Sequence, residues 1–283
     1  MKLLKKIFKV TLLIFGIVFL ILYGLFWYYT TPKSDADILK AYSKSFIKPT
    51  ISKEQFNDFE YRKVTIIKDT TLPYLVFVHG TIGSVNDFNR YLSDSLLQKK
   101  FNFIAYDRIG YNFNDKNNVQ ESIAFEREML KDIIKNLPPE KTILVGYSYG
   151  GPIVLSIKNK VHKTILLAPA AYSKVEPIPW MVNLYKFPFT RWLIPPVWKQ
   201  ASKEKLSHQE DLENFENEWN TTPNNVISIH GTKDWIVPIS NSIFLQSQFS
   251  SEKFKLIKID DAGHDLIWSN FDEIKKLLIQ NAD

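Results

Sequence analysis

Residues 142–151 read Thr142-Ile143-Leu144-Val145-Gly146-Tyr147-Ser148-Tyr149-Gly150-Gly151. A β-branched, apolar run ends in Gly-x-Ser-x-Gly, and a helix-compatible segment from Pro152 to Asn159 follows. This pattern predicts a strand, a sharp turn that leaves a serine exposed at its apex, and a helix: a nucleophile elbow. The turn forces strained backbone angles on Ser148, and side chains at Gly146 or Gly150 would collide with the neighbouring strand and helix. Such a spacing arises by chance in about one chain in ten of this length. Its meaning depends on what the rest of the chain supplies.

Strand and helix patterns alternate on both sides of the elbow. Tyr61 to Lys68 alternates and is β-branched, which predicts a strand, and Tyr74 to Val78 has the continuous apolar character of a buried parallel strand. Asp87 to Lys99 reads as a helix, Asn102 to Tyr106 as a strand, and Val119 to Asn136 as a long amphipathic helix stopped by Pro138-Pro139. After the elbow come strand His162 to Leu167, strand Asn225 to His230, a helix near Asn241 to Phe249, strand Phe254 to Ile259 and a helix from Phe271 to Gln280. This rhythm predicts an α/β fold with a mostly parallel sheet flanked by helices. It breaks at residues 170–223, an insert rich in Trp, Phe, Tyr and Pro, too apolar for a linker and too long for an ordinary loop. The insert reads as a compact, partly helical lid whose aromatics mostly pack against the domain.

A serine hydroxyl needs a base, and the base needs an orienting carboxylate. In an open parallel sheet these groups belong just beyond the carboxyl ends of strands. Of five histidines, His208 lies in the polar end of the lid, His162 opens a strand, and His79 and His230 end strands, where packing roles are expected. His264, a few residues past a strand end, is the best base. Asp234, after the preceding strand, would approach it from the adjacent loop, with Asp260, Asp261 and Asp265 as less well placed alternatives. The order Ser148, Asp234, His264 is the one expected for an elbow on this sheet type.

These motifs give the sequence a resemblance to the α/β-hydrolase family, in the subgroup with a lid between the sixth and seventh strands. It is carried by His79-Gly80 with Gly83-Ser84, Asp107-Arg108-x-Gly110, Gly146-Tyr147-Ser148-Tyr149-Gly150-Gly151, Gly231-x-x-Asp234-x-x-Val237-Pro238 and Gly263-His264. The resemblance implies an oxyanion hole made by the backbone N–H groups of Thr81 and Tyr149. It also implies an enzyme that is carboxylesterase- or lipase-like, without metal or cofactor, acting on a small molecule with an apolar acyl or alcohol part. The serine argues against the dehalogenases and epoxide hydrolases of this fold, which use aspartate. An acyltransferase with the same triad and a non-catalytic ligand-binding member are the alternatives. Asp107 and Arg108 are expected to brace the loops under the site. Only one strand is legible before the His-Gly strand, so the sheet is expected to be trimmed at that edge.

The N-terminus adds a separate feature. Val10 to Tyr29 is twenty residues without a charged side chain, about 30 Å as a helix, and it ends in Trp27-Tyr28-Tyr29. It predicts an uncleaved single-pass anchor at 10–29, after a basic cytoplasmic n-region at 1–9, with a cleaved signal peptide as the competing reading, against which stand the length of the apolar run and the lack of a small-x-small site after it. A stalk or short packing helix at 30–58 and a catalytic domain at 59–283 should then lie outside the cytoplasm. Lys2, Lys5, Lys6 and Lys9 supply four of the net +6 charges. The remainder is close to balanced, which argues against nucleic-acid binding. With no cysteines, disulfides, thiolate metal sites and a cysteine nucleophile are excluded.

Overall fold

The computed structural model describes residues 2–112 and 119–281; the outermost ends of the first and last predicted segments, Met1 and Ala282-Asp283, lie outside the described residues. Helix α1 (Lys2–Thr30) is followed after four residues by α2 (Asp35–Ala41). Ser34 caps α2, its hydroxyl accepting from the Asp37 N–H while the Asp37 side chain returns to the Ser34 N–H. Strands β1 (Thr50–Phe56), β2 (Phe59–Ile66) and β3 (Tyr74–Val78) come next, then α3 (Asn89–Ser93), α4 (Ser95–Lys100), β4 (Asn102–Tyr106) and α5 (Ile123–Ile134). The elbow unit is β5 (Thr142–Tyr147) and α6 (Gly150–Leu155), followed by β6 (Lys163–Leu167). The lid contains α7 (Val182–Lys186), α8 (Pro188–Arg191) and α9 (Pro196–Phe215), flanked by short 3₁₀ turns. The chain closes with β7 (Val226–Gly231), α10 (Ser240–Gln248), β8 (Phe254–Ile259), α11 (Leu266–Ser269) and α12 (Phe271–Gln280).

One eight-stranded sheet runs in the order β1-β2-β4-β3-β5-β6-β7-β8. Pairing is antiparallel from β1 to β2 and from β2 to β4, and parallel elsewhere. The inner strands β3, β4 and β5 are buried along their whole length. Apolar side chains from their two faces feed two separate cores under the helical layers. From β3 the chain crosses first to β4 on one side and then to β5 on the other, so the sheet has its topological switch at β3 and β5. The crevice beyond their carboxyl ends is where such a sheet receives a ligand.

The sheet is not trimmed. Two strands precede the His-Gly strand, and the second one pairs with both its neighbours. β1 escapes a pattern search because it is a polar edge strand, Ser52-Lys53-Glu54-Gln55 between Ile51 and Phe56. The two-residue turn Asn57-Asp58 joins it to β2, with Asn57 at φ 52° supplying the left-handed conformation that a tight hairpin requires. Of the two readings of residues 30–58, a stalk or a short packing helix, α2 is the packing helix: Ile38 and Tyr42 are buried, and the Tyr42 hydroxyl donates to Asn89 at 2.9 Å. The helix expected over 87–99 is broken at Asp94, whose carboxylate caps α4 through the N–H groups of Leu96 and Leu97.

Candidate active site

Ser148 sits at the end of β5 with φ 53°, a conformation that L-residues seldom adopt. Its N–H donates to Leu167 of β6 at 2.9 Å, and its carbonyl accepts from Gly151 and Ala170. The glycines are there for clearance. A Cβ on Gly146 would stand 2.3 Å from the Gly150 carbonyl oxygen, and one on Gly150 would stand 2.2 Å from that of Val78 in β3. Strand and helix thus approach so closely that only hydrogen fits between them, and the approach holds Ser148 at the apex. The loop after β3 comes equally near, since a Cβ on Gly80 would meet the Ser148 Cβ at 2.7 Å.

Asp234 follows β7 and His264 follows β8, two strands paired through Gly231 and Ile259. His264 Nε2 lies 3.0 Å from Ser148 Oγ, and its Nδ1 lies 2.8 Å from Asp234 Oδ2. The three groups chosen from the sequence are thus brought into one hydrogen-bonded chain, and Asp234, rather than Asp260, Asp261 or Asp265, is the acid that reaches the imidazole. Ser148 and Asp234 are largely buried, at 9% and 7% exposure. The second Asp234 oxygen accepts from the N–H groups of Ile236 and Val237 at 3.0 and 2.8 Å. Burial alone would push the Asp234 carboxyl up, but hydrogen bonds from His230, His264 and Val237 outweigh it and bring it down to about 2.

Three contributors were not legible in the sequence. His230 is fully buried, its Nδ1 2.6 Å from Ser242 Oγ, and its Nε2 lies 2.8 Å from the Val237 carbonyl and 3.5 Å from Asp234 Oδ2. It braces the acid loop rather than merely ending a strand. Tyr147, between Gly146 and Ser148, stacks on the His264 ring at 5.1 Å and donates its hydroxyl to the His264 carbonyl at 2.8 Å. The third contributor comes from the lid. Glu204 of α9, fully buried, accepts from Thr81 Oγ1 at 2.7 Å and from the Tyr111 hydroxyl at 2.8 Å.

Thr81 and Tyr149 lie on either side of Ser148, at the ends of adjacent strands. Among the described residues, no hydrogen bond takes the N–H of either. Tyr149 is locked from below, its ring against the Arg108 guanidinium at 4.4 Å and the His208 ring at 4.3 Å. His208 is therefore a buried residue on the inner face of α9, not part of a polar lid end. Ile82, next to Thr81, has φ 56°, an outlier for a β-branched residue.

Asp107 and Arg108 brace the loops, but through different partners. Asp107 pairs with Arg62 at 2.6 Å and accepts from the Val85 N–H. Arg108, with no exposed surface, is flanked by Glu126 at 3.1 Å and Glu204 at 2.9 Å. Burial pushes Glu126 up to about 7 despite Arg108. Glu204→Ala would leave Arg108 with one carboxylate and free Thr81 and Tyr111 from their acceptor. Its expected cost is about 3 kcal/mol, read as a lower urea midpoint of the detergent-solubilised chain. An unchanged midpoint would show that the network does not hold the lid helix down.

A sequence model of the α/β hydrolase fold matches residues 73–202, which run from β3 into α9. No curated protein matches the chain. An esterase from Exiguobacterium antarcticum superposes with a TM-score of 0.65 at 18% identity, over 82% of this chain and 99% of its own. A bromoperoxidase from Bacillus anthracis gives 0.61 at 15% identity, over 82% and 99%. A bacterial membrane phospholipase A gives 0.65 at 14% identity, over 99% of this chain and 98% of its own. The chain has the α/β-hydrolase fold. In this α/β-hydrolase sheet the elbow, acid and histidine loops all leave the carboxyl ends of parallel strands, so Thr81, Ser148, Tyr149, Asp234 and His264 converge on one rim from β3, β5, β7 and β8. The fold supplies the rim; the lid helix, through Glu204, adds its own support to it.

Proposed function

We propose that the protein is a membrane-anchored serine hydrolase that cleaves carboxylic esters through an acyl-enzyme. The observation that carries this reading is the continuous chain from Ser148 Oγ through His264 to Asp234, with steps of 3.0 and 2.8 Å. Ser148 Oγ attacks the ester carbonyl while His264 Nε2 takes its proton, and Asp234 holds the Nδ1–H tautomer that leaves Nε2 free to accept. The N–H groups of Thr81 and Tyr149 receive the oxyanion of the tetrahedral intermediate. As it collapses, Nε2–H protonates the departing alcohol and the acyl group stays on Ser148. Water, deprotonated by the same nitrogen, then releases the acid and regenerates the serine.

Membrane anchoring rests on α1, whose Leu3–Thr30 stretch contains an 18-residue window with a mean hydropathy of 2.5 that is not buried against the rest of the protein. An apolar helix of this length, exposed along most of its surface, is stable in lipid. Lys5, Lys6 and Lys9 precede the apolar run, which favours a cytoplasmic N-terminus and a catalytic domain on the far side. The likeness to a membrane phospholipase A extends over the apolar helix as well as the domain, and it favours an ester with a lipid-like acyl chain.

A membrane-impermeant fluorophosphonate probe tests both halves of this reading. Applied to right-side-out membrane vesicles, it should label the full chain but not Ser148→Ala. Labelling only after lysis would reverse the topology and keep the nucleophile. No labelling under either condition would remove the hydrolase reading.

A further inference from the structure

The lid carries an apolar face that nothing in the protein covers. Trp180, Leu184, Phe187, Phe189 and Trp192 are all exposed, Phe189 at 89% and Trp180 at 72%. They fall on α7, α8 and the turns beside them, whereas α9 turns its Val197, Ala201, Glu204, His208 and Leu212 stripe into the domain. Aromatics were expected to bury this insert; instead a polar-spotted helix does so and the aromatics face out. An uncovered patch of this kind marks an interaction surface.

Three observations say what covers it. First, the anchor meets the lid: the Phe26 ring, at the end of the apolar run, lies 5.6 Å from the Trp198 ring in the first turn of α9. Trp27, Tyr28 and Tyr29 follow Phe26, so this contact falls where the span leaves the hydrocarbon. Second, the exit of the anchor is fixed to the domain. Only four residues separate α1 from α2, a reach of about 14 Å at most, and the buried Arg62 holds the Lys33 carbonyl at 2.8 Å and Asp35 at 2.9 Å. The domain therefore cannot swing far from the bilayer. Third, between Pro177 and Lys203 the chain carries Lys186, Arg191, Lys199 and Lys203 and no acidic residue. Aromatic side chains among basic ones suit the headgroup zone of a membrane containing anionic lipid. A second copy would instead set this basic face against itself.

We infer that the α7–α8 face of the lid is a bilayer-docking surface, seated among the headgroups of the membrane that α1 spans. It rests on reading α1 as a membrane span, and it goes beyond the hydrolase assignment by giving the domain one orientation. α9 runs from the anchor contact at Trp198 to the Thr81 contact at Glu204 in six residues, about 9 Å of helix. Docking therefore brings the serine site close to the lipid surface.

The chain has no cysteine, so single-site labels report unambiguously. Phe189→Cys and Trp192→Cys, with Ile67→Cys as the control at the opposite end of the sheet, would each carry a polarity-sensitive fluorophore. The full chain would be reconstituted in phosphatidylcholine–phosphatidylglycerol vesicles with and without spin-labelled lipid. Emission from 189 and 192 should shift to the blue and be quenched several-fold more than emission from 67. Labels as wet as the control would overturn the docking surface. A blue shift without lipid quenching would also overturn it, by assigning the cover to protein. A chain that does not float with the vesicles would remove the anchor and the docking together. None of these readouts depends on turnover, so they stand apart from the fate of the hydrolase reading.

Discussion

Ser148→Ala should lower turnover of a short acyl ester on the order of a millionfold, the loss expected when a serine nucleophile that works as a unit with its histidine is removed. Among the described residues the hydroxyl has one hydrogen-bond partner, His264 Nε2 at 3.0 Å, so the methyl group that replaces it disturbs little else. The backbone strain at φ 53° is held by the glycine approaches of the elbow, not by the hydroxyl. The variant should therefore keep the unfolding transition of the parent and bind substrate with little change. Purified full chain in detergent, assayed with a chromogenic ester, decides the matter. A loss of less than about tenfold would mean that the ester bond is broken elsewhere or by another group.

Asp234→Asn should cost on the order of ten-thousandfold in kcat. The carboxylate only accepts, from His264 Nδ1 and from the N–H groups of Ile236 and Val237. An amide nitrogen in place of Oδ2 would donate to Nδ1, push the imidazole proton to Nε2 and leave Ser148 facing a donor. His230, 3.5 Å from the same oxygen, cannot restore the tautomer. The pH dependence separates the two residues. Asp234 is held down to about 2, below its ordinary 3.8, so its share of stability is complete above that ordinary value and fades as pH falls toward 2. The carboxylate thus stays charged in every practical assay. The imidazole must be neutral to take the serine proton, so activity should be lost in acid through the base and not through Asp234. Activity that persists unchanged in acid, or an Asn variant within tenfold of the parent, would contradict the arrangement.

The parts of the fold that were legible in the sequence are those where one physical effect dominates. Val76, Phe77 and Val78 or Ile143, Leu144 and Val145 are buried on both faces, so nothing polar interrupts the run, and the parallel core could be read directly. α12 was read with its observed ends because Phe271, Ile274 and Leu278 repeat cleanly along one face. β1 was lost because an edge strand has every reason to be polar. α5 begins at Ile123 rather than Val119 because Ser122 caps it, its hydroxyl accepting from the Phe125 N–H. The lid helix α9 hid its inner stripe because Glu204 and His208 occupy two of its buried positions, and Arg108, Thr81, Tyr111 and the Ala170 carbonyl, far away in sequence, make those positions tolerable. Sequence could nominate Ser148, Asp234 and His264 because strand ends are local features. It could not nominate Glu204, Tyr147 or His230 as their supports, because support is a matter of which distant chain segments meet.

The position of β8 has a consequence for how the protein is made. The proposed base, His264, lies five residues beyond the end of β8. β8 closes the far edge of the sheet by pairing with all six residues of β7, every one of them buried. A nascent or truncated chain ending before Phe254 would hold an open, apolar sheet edge and would lack His264. Completion of the sheet and acquisition of the base are one event. On the proposed reading, ester cleavage can begin only once β8 is in place.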